Sequence, residues 1–373
     1  MGENTVTRIQ ELGQSVWIDH IRRSMLTTGE LGALVRQGIT GLTSNPTIFE
    51  KAVSGSTDYD EALLEMSRAG KSPAEVFEAL AVEDIQDAAD ILRGVYDRTD
   101  GADGYVSIEL PPPLAHDRRA TLAEARRLSA SVGRPNALIK VPATPEGIKA
   151  VRTLIAEGIN VNVTLIFSLD SYRTVMEAYL RGLEQRASQG GDLRVASVAS
   201  FFVSRVDSAV DPLLRALAAG GDASALDLLG TAAVANARAA YALFKTEFGG
   251  ERFASLRAKG ARVQRPLWAS TSTKDPAYSD TMYVDSLIGP DTVNTMPPQT
   301  LDAVLDHGVV APALDGTGPS AEQTLDALTA AGIDMAEVTE KLLRDGVAAF
   351  ADSYDAVLAS VESKCGELAQ AAS

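Results

Sequence analysis

The sequence predicts an α/β fold: a single (β/α)8 TIM barrel with extra C-terminal helices. Short runs of branched and aromatic residues recur eight times, a stretch with helical periodicity separates each from the next, and no Gly-, Ser- or Pro-rich linker interrupts the series. Strands alternating with helices of this length build a parallel sheet, and eight such units in unbroken succession close it into a barrel. A doubly wound open sheet is the architectural alternative. One domain spanning 1–373 is the simpler organisation, with a helical extension at about 320–365.

In chain order, strands are expected at 15–21 (SVWIDHI), 39–46 (ITGLTSNP) and 104–111 (GYVSIELP), the last stopped by Pro111, Pro112 and Pro113. The fourth, 137–144 (ALIKVPAT), lies between a Gly-Arg-Pro turn and a Pro-Glu-Gly helix start. The others are 159–167 (INVNVTLIF), 195–206, 266–271 and 292–297. Helices are expected at 73–96, 121–132, 146–157, 169–188, 223–248 and 299–306. Ser72 before Pro73 and Glu75 reads as a capping box, and Gly158 as a C-terminal stop. Beyond the eighth strand, Leu325, Leu328, Met335, Val338, Leu342, Val347, Phe350, Tyr354 and Leu358 continue an amphipathic pattern suited to covering a barrel mouth or to a homodimer contact.

Thirty-four basic against fifty acidic side chains leave a net charge of −16. That balance disfavours nucleic acid or an anionic membrane surface as the principal partner, and an anionic substrate would have to meet a local cluster of positive charge. The single Cys365 allows no intrachain disulfide, which suits a reducing cytoplasm. The Met-Gly-Glu-Asn-Thr start lacks the pattern of a signal peptide, and no apolar run approaches the roughly 18 residues of a membrane span. His20, His116 and His307 are scattered without zinc-site spacing, so no metal site is expected.

Lys140 is the most informative residue. Both neighbours in its strand, Ile139 and Val141, are branched hydrocarbons. An unpaired ammonium taken out of water is costly and tends to shed its proton, and a neutral lysine is a nucleophile. The plainer alternative is a strand-end lysine whose head reaches solvent.

A structural barrel interior is filled by Val, Ile and Leu, yet alternation here places polar residues on interior faces. Asn160, Asn162 and Thr164 share one face of the fifth strand, opposite Val161, Val163 and Leu165. The same period groups Glu109 with Ser107, Asn45 with Thr43, Ser200 with Phe202 and Asp19 with Trp17. Each such group, buried and unsatisfied, costs about 1 to 3 kcal/mol, so the set implies mutual hydrogen bonding or a ligand. Taken singly, Asp19 suits a helix cap, Asn45 a turn before Pro46, and Glu109 a solvated strand end. Arg205, read as ending the sixth strand, matches a phosphate in planar geometry, or else pairs with Asp207 at the surface. Ser270, Ser272 and Lys274 add hydroxyls and a cation.

With TSNPT at 43–47, IKVPAT at 139–144, NVTLIFS at 162–168 and SFFVSRV at 200–206 in this order, the chain resembles the transaldolases from about Trp17 to its final helices. The resemblance implies a class I aldol mechanism on a barrel, with no metal and no organic cofactor, acting on sugar phosphates. Lys140 would form the imine with a ketose carbonyl, and Asp19 would take the proton from the hydroxyl beside the breaking bond. Glu109 and Thr164 would hold a proton-shuttling water. Asn45, Asn162 and Ser200, with Phe202 beside them, would surround the dihydroxyacetone unit, and Arg205 would bind phosphate.

The best-known branch of the family carries an arginine two residues after the serine that matches Ser270. Here that position is Ser272, and Lys274 follows as the replacement cation. Trp268 and the longer chain also suggest a separate branch. The implied reaction moves a dihydroxyacetone unit from sedoheptulose 7-phosphate to glyceraldehyde 3-phosphate. Its rivals are a fructose 6-phosphate aldolase that releases dihydroxyacetone and a catalytically silent barrel. Pyridoxal phosphate is disfavoured, because no Gly-rich phosphate loop stands out.

Overall fold

In the computed structural model, which describes residues 4–314 and 320–371, eight strands pair in sequential order and β8 closes on β1. They are β1 (Gln14–Ile18), β2 (Gly41–Thr43), β3 (Val106–Glu109), β4 (Ala137–Pro142), β5 (Val161–Ile166), β6 (Ser197–Phe202), β7 (Arg265–Ala269) and β8 (Thr292–Met296). Every pairing is parallel. The expected (β/α)8 barrel is therefore present, and the open sheet is not.

Helices cover the outside of the strands. The capping box at Ser72 forms at the start of Pro73–Arg98, and Gly158, at φ 87°, ends Pro145–Glu157. Inside the barrel Trp17 lies flat against β2. A Cβ on Gly41 would fall 2.4 Å from its ring, so only glycine admits the indole there. Among the described residues, no helix is long and apolar enough to cross a membrane.

Three local readings of the sequence need correction. The sixth strand ends at Phe202, and the helix Ser204–Ala219 starts within the apolar run, so Arg205 sits in the first turn of a helix. The stretch 223–248 is interrupted: a 3-10 turn, Ala223–Leu228, gives way through Gly230 at φ 70° to the helix Ala232–Gly249. The alternation on β5 breaks at Leu165, which adopts φ 60° where the β5–β6 register shifts. Asn160 lies before β5, where its amide donates to the Pro135 carbonyl at 2.9 Å, away from the interior set.

The C-terminal extension forms Ala321–Ala330 and the long helix Met335–Ala371. The long helix packs on Pro46–Ser54, on Pro73–Arg98 and on the end of β5, which lays it across the C-terminal mouth of the barrel.

Candidate active site

Pairing register brings the central chemistry together. Glu109 on β3 is opposite Lys140 on β4, and Lys140 is opposite Asn162 on β5, so three polar side chains enter the barrel at one level. Lys140 Nζ donates to Glu109 Oε2 at 3.2 Å and to the Ser44 carbonyl at 3.1 Å. Lysine and carboxylate are both almost completely buried, their side chains 6% and 5% exposed. The head of Lys140 is thus held inside the barrel with a carboxylate for company, and it does not reach out to bulk water.

A cavity of about 450 Å3 opens at the C-terminal ends of the strands. Its wall includes Lys140, Asp19, Asn45, Thr164, Ser200, Phe202, Arg205, Ser270 and Lys274. Asp19 follows β1 directly and accepts a hydrogen bond from Thr43 Oγ1 at 2.7 Å, so the sequence reading of it as a helix cap does not hold. Burial pushes its carboxyl above the usual carboxylate range, opposed by the charge of Lys140 and the Thr43 hydroxyl. Glu109 is raised for the same first reason and is likewise opposed by Lys140. Two carboxyl groups of elevated pKa flanking one lysine are suited to giving and taking protons.

Asn45 serves two purposes. Its Oδ1 accepts from Ile48 N at 3.0 Å and caps the helix Pro46–Ser54, while the residue also lines the cavity. Asn162 is wholly buried and does not reach that wall. Its Nδ2 donates to Ser107 Oγ at 3.0 Å and its Oδ1 accepts from Ser200 Oγ at 2.7 Å, so it holds Ser200 from below. Thr164 Oγ1 is buried and has no hydrogen-bond partner among the described residues. A hydroxyl left so at a cavity wall marks a place for a water or a substrate oxygen.

At the far side stand the cations. Arg205 lies over the Phe202 ring, its guanidinium carbon 5.3 Å from the centroid, and burial lowers its pKa. Asp207, the surface partner considered for it from the sequence, instead accepts from Tyr283 Oη at 2.8 Å and from Ala233 N at 2.7 Å. Lys274 donates to Ser272 Oγ at 2.6 Å. Its pKa is lowered by burial and by the neighbouring charges of Arg205 and Lys51. Among the described residues none of these three cations has a carboxylate within salt-bridge distance. Asp19 is the acid that acts on Lys274, from beyond salt-bridge distance, and cations left without a direct carboxylate partner suit a dianion.

The backbone is shaped to match. Ser270 has φ 56°, its carbonyl accepts from Ser204 N at 3.0 Å, and the two serine hydroxyls meet at 3.0 Å, so the end of β7 is laced to the helix that carries Arg205. The sequence reading did not single out Lys51, His20, Thr295, Gln299 or Phe350 as site residues, though all line the cavity. Lys51 stands one helical turn past Thr47, a spacing that places both on one face. Phe350 reads in sequence as one more member of an apolar stripe.

A family model described as Transaldolase/Fructose-6-phosphate aldolase matches residues 16–361. A protein of Acidothermus cellulolyticus named transaldolase is 50% identical over 359 residues, covering 95% of each chain. One of Saccharopolyspora erythraea with the same name is 48% identical over 356 residues, also covering 95% of each. The protein named transaldolase 2 of a Nostoc species is 46% identical over 374 residues, covering 98% of each.

Proposed function

The chain belongs to the transaldolase/fructose-6-phosphate aldolase family, and from that premise we propose that it transfers a dihydroxyacetone unit between sugar phosphates through a Schiff base on Lys140. The donor is sedoheptulose 7-phosphate and the acceptor glyceraldehyde 3-phosphate, giving erythrose 4-phosphate and fructose 6-phosphate in the pentose phosphate pathway of the cytoplasm. The observation that carries this reading is the placement of one buried lysine beside Glu109, in a cavity whose opposite wall presents unpaired Arg205 and Lys274.

The ketose phosphate seats on Arg205 and Lys274, and its carbonyl carbon meets Lys140 Nζ. Nζ passes a proton to its partner Glu109 and attacks, giving a carbinolamine. Loss of its hydroxyl as water leaves a protonated imine, with Glu109 and the free Thr164 hydroxyl holding the water that relays the protons. Asp19, fixed by Thr43, then takes the proton of the hydroxyl beside the bond to be broken. The imine accepts the electron pair of that bond as an enamine, the aldose phosphate leaves, the enamine attacks the next aldehyde, and water hydrolyses the new imine to release the ketose from Lys140. Asn45 and Ser200 hold hydroxyls of the retained unit.

Borohydride reduction in the presence of fructose 6-phosphate tests the reading. The expected result is a reduced dihydroxyacetone adduct on the peptide containing Lys140, together with transfer to an added aldose phosphate. Turnover with Lys140 unmodified would overturn the mechanism.

A further inference from the structure

We propose that Phe350, carried by the C-terminal helix, roofs the catalytic lysine and sets how long the bound dihydroxyacetone unit survives before water releases it; this rests on the Schiff-base reading above. The ring is almost fully buried and lines the cavity, its centroid 5.6 Å from Lys140 Nζ. It is the part of the helix Met335–Ala371 that enters the site.

The helix around it is pinned on both sides. One turn earlier, Gly346 lets the backbone approach the end of β5: a Cβ there would lie 2.9 Å from Leu165 Cδ2. Leu165 is the residue with φ 60° at the irregularity of β5, immediately after Thr164. A left-handed leucine is held against its own preference, and the packing that holds it is the seat of the helix. One turn later, Thr47 Oγ1 donates to Ser353 Oγ at 2.8 Å, and Tyr354 meets Phe77 edge to face at 5.8 Å between centroids. Residues 346, 350, 353 and 354 share one face of a helix, so these contacts fix the ring between them.

The chemistry gives the ring its role. After carbon–carbon cleavage the retained unit is an enamine on Nζ. In transfer, its nucleophilic carbon bonds to the acceptor aldehyde carbon, the aldehyde oxygen takes a proton, and water then hydrolyses the new imine to free the product and the lysine. In release, a proton adds to that carbon to give the cationic imine, water adds to the imine carbon, and the carbon–nitrogen bond breaks. The water oxygen becomes the ketone oxygen and its two hydrogens go to the lysine. A ring face over Nζ attracts the cation and fills space from which a water could deliver a proton to the enamine carbon, the one step that release does not share with transfer.

Full-length Phe350→Ala and Phe350→Leu are assayed with fructose 6-phosphate for free dihydroxyacetone without an acceptor, and for transfer to erythrose 4-phosphate. The ratio of release to transfer is expected to rise about tenfold in the alanine variant and less in the leucine variant, with borohydride still trapping Lys140 in both. Leucine keeps apolar packing, so the ratio remains measurable if the alanine variant does not fold. Trapped adducts with the wild-type ratio in the leucine variant would overturn the roof alone. Absence of an adduct in the wild type would overturn the Schiff-base reading and the roof with it.

Discussion

The two ends of the barrel are both rich in polar side chains, and they treat them in opposite ways. At the N-terminal end Asp103 accepts from Ser15 Oγ, from Trp17 Nε1 at 2.8 Å and from Gly104 N at 3.0 Å, while Arg265 donates to Ser15 Oγ at 2.6 Å and lies 3.5 Å from Asp103. Asn136 reaches the Ala89 and Gly104 carbonyls, and Gln14 the Leu287 carbonyl and Thr292. Each charge there has its opposite. At the C-terminal end Asp19 and Glu109 share one lysine, Thr164 Oγ1 has no partner among the described residues, and Lys274 feels the charges of Arg205 and Lys51, with Asp19 as its more distant acid. Polarity inside a barrel is therefore not itself a sign of chemistry. An unclosed hydrogen bond alone is no such sign either, since Gln14 Oε1 and Asn136 Oδ1 also lack partners among the described residues; charges left without a salt-bridge partner around a cavity are.

If this contrast is sound, substitutions at the two ends should divide cleanly between activity and stability. The largest effect belongs to Lys140→Met, expected to lower kcat by about 10,000-fold or more while circular dichroism shows a folded barrel. Asp19→Asn should lower kcat by about 100- to 10,000-fold and leave the protein at least as stable at neutral pH. The sign follows from linkage. Burial raises the Asp19 pKa, so the folded state holds the proton to higher pH than the unfolded chain, and stability falls as pH rises from the unfolded value through the folded one. Above that window the ionised carboxylate is a standing cost, which asparagine removes. Asp103→Ala should do the reverse, leaving a half-buried Arg265 without its acid and Trp17 Nε1 without its acceptor, for a loss of about 2 to 4 kcal/mol by denaturant titration and near-normal kcat where the variant is folded. Loss of stability in Asp19→Asn, or loss of kcat in a folded Asp103→Ala, would break the comparison.

The same contrast shows what the sequence made legible. Eight strand runs were visible because each is a block of branched residues between turn signals, and Lys140, Asp19 and Glu109 stand out as charges within such blocks. The end of β6 was not visible, because Phe-Phe-Val-Ser-Arg-Val stays apolar across a strand-to-helix turn and nothing in it marks where the period changes from two to 3.6. Leu165 was assigned its face by alternation, which a bulge overrides without any glycine to announce it. Asn162 was expected to grip substrate; its amide is bonded to Ser107 and Ser200, and that depth was not legible because it depends on barrel stagger. Lys51 and Phe350 come from helices that read as ordinary amphipathic surfaces. Gly346 within one of them was the available hint, since a glycine weakens a helix unless something must come close.

The unpaired cations offer a finer division within the functional end. Arg205→Ala is expected to raise KM for fructose 6-phosphate by about 10- to 100-fold and to leave kcat/KM for free dihydroxyacetone transfer nearly unchanged. Lys274→Ala should act in the same direction with about a three- to tenfold rise, because that side chain is more exposed. Equal losses on substrates with and without phosphate would mean that these residues support the fold of the site and do not read the anion.

The smallest effect separates the two raised carboxyls from each other. Thr43 donates to Asp19, and this bond lowers the Asp19 pKa against the dominant effect of burial. Glu109 has no hydroxyl donor among the groups that shift it: burial raises it, while the charge of Lys140 and the Lys140 hydrogen bond lower it. Thr43→Val keeps the shape of the side chain and deletes the donor. If ionised Asp19 is the base, the acid limb of the kcat profile should move to higher pH by about half a unit, with the plateau rate unchanged. Thr43 Oγ1 also meets Thr295 Oγ1 at 2.6 Å, so Thr295→Val serves as the control that disturbs the same hydroxyl cluster without removing the donor to Asp19. A limb that moves in Thr43→Val and not in Thr295→Val assigns it to Asp19. A limb unmoved in both assigns it to Glu109, the carboxyl that titrates beside the lysine.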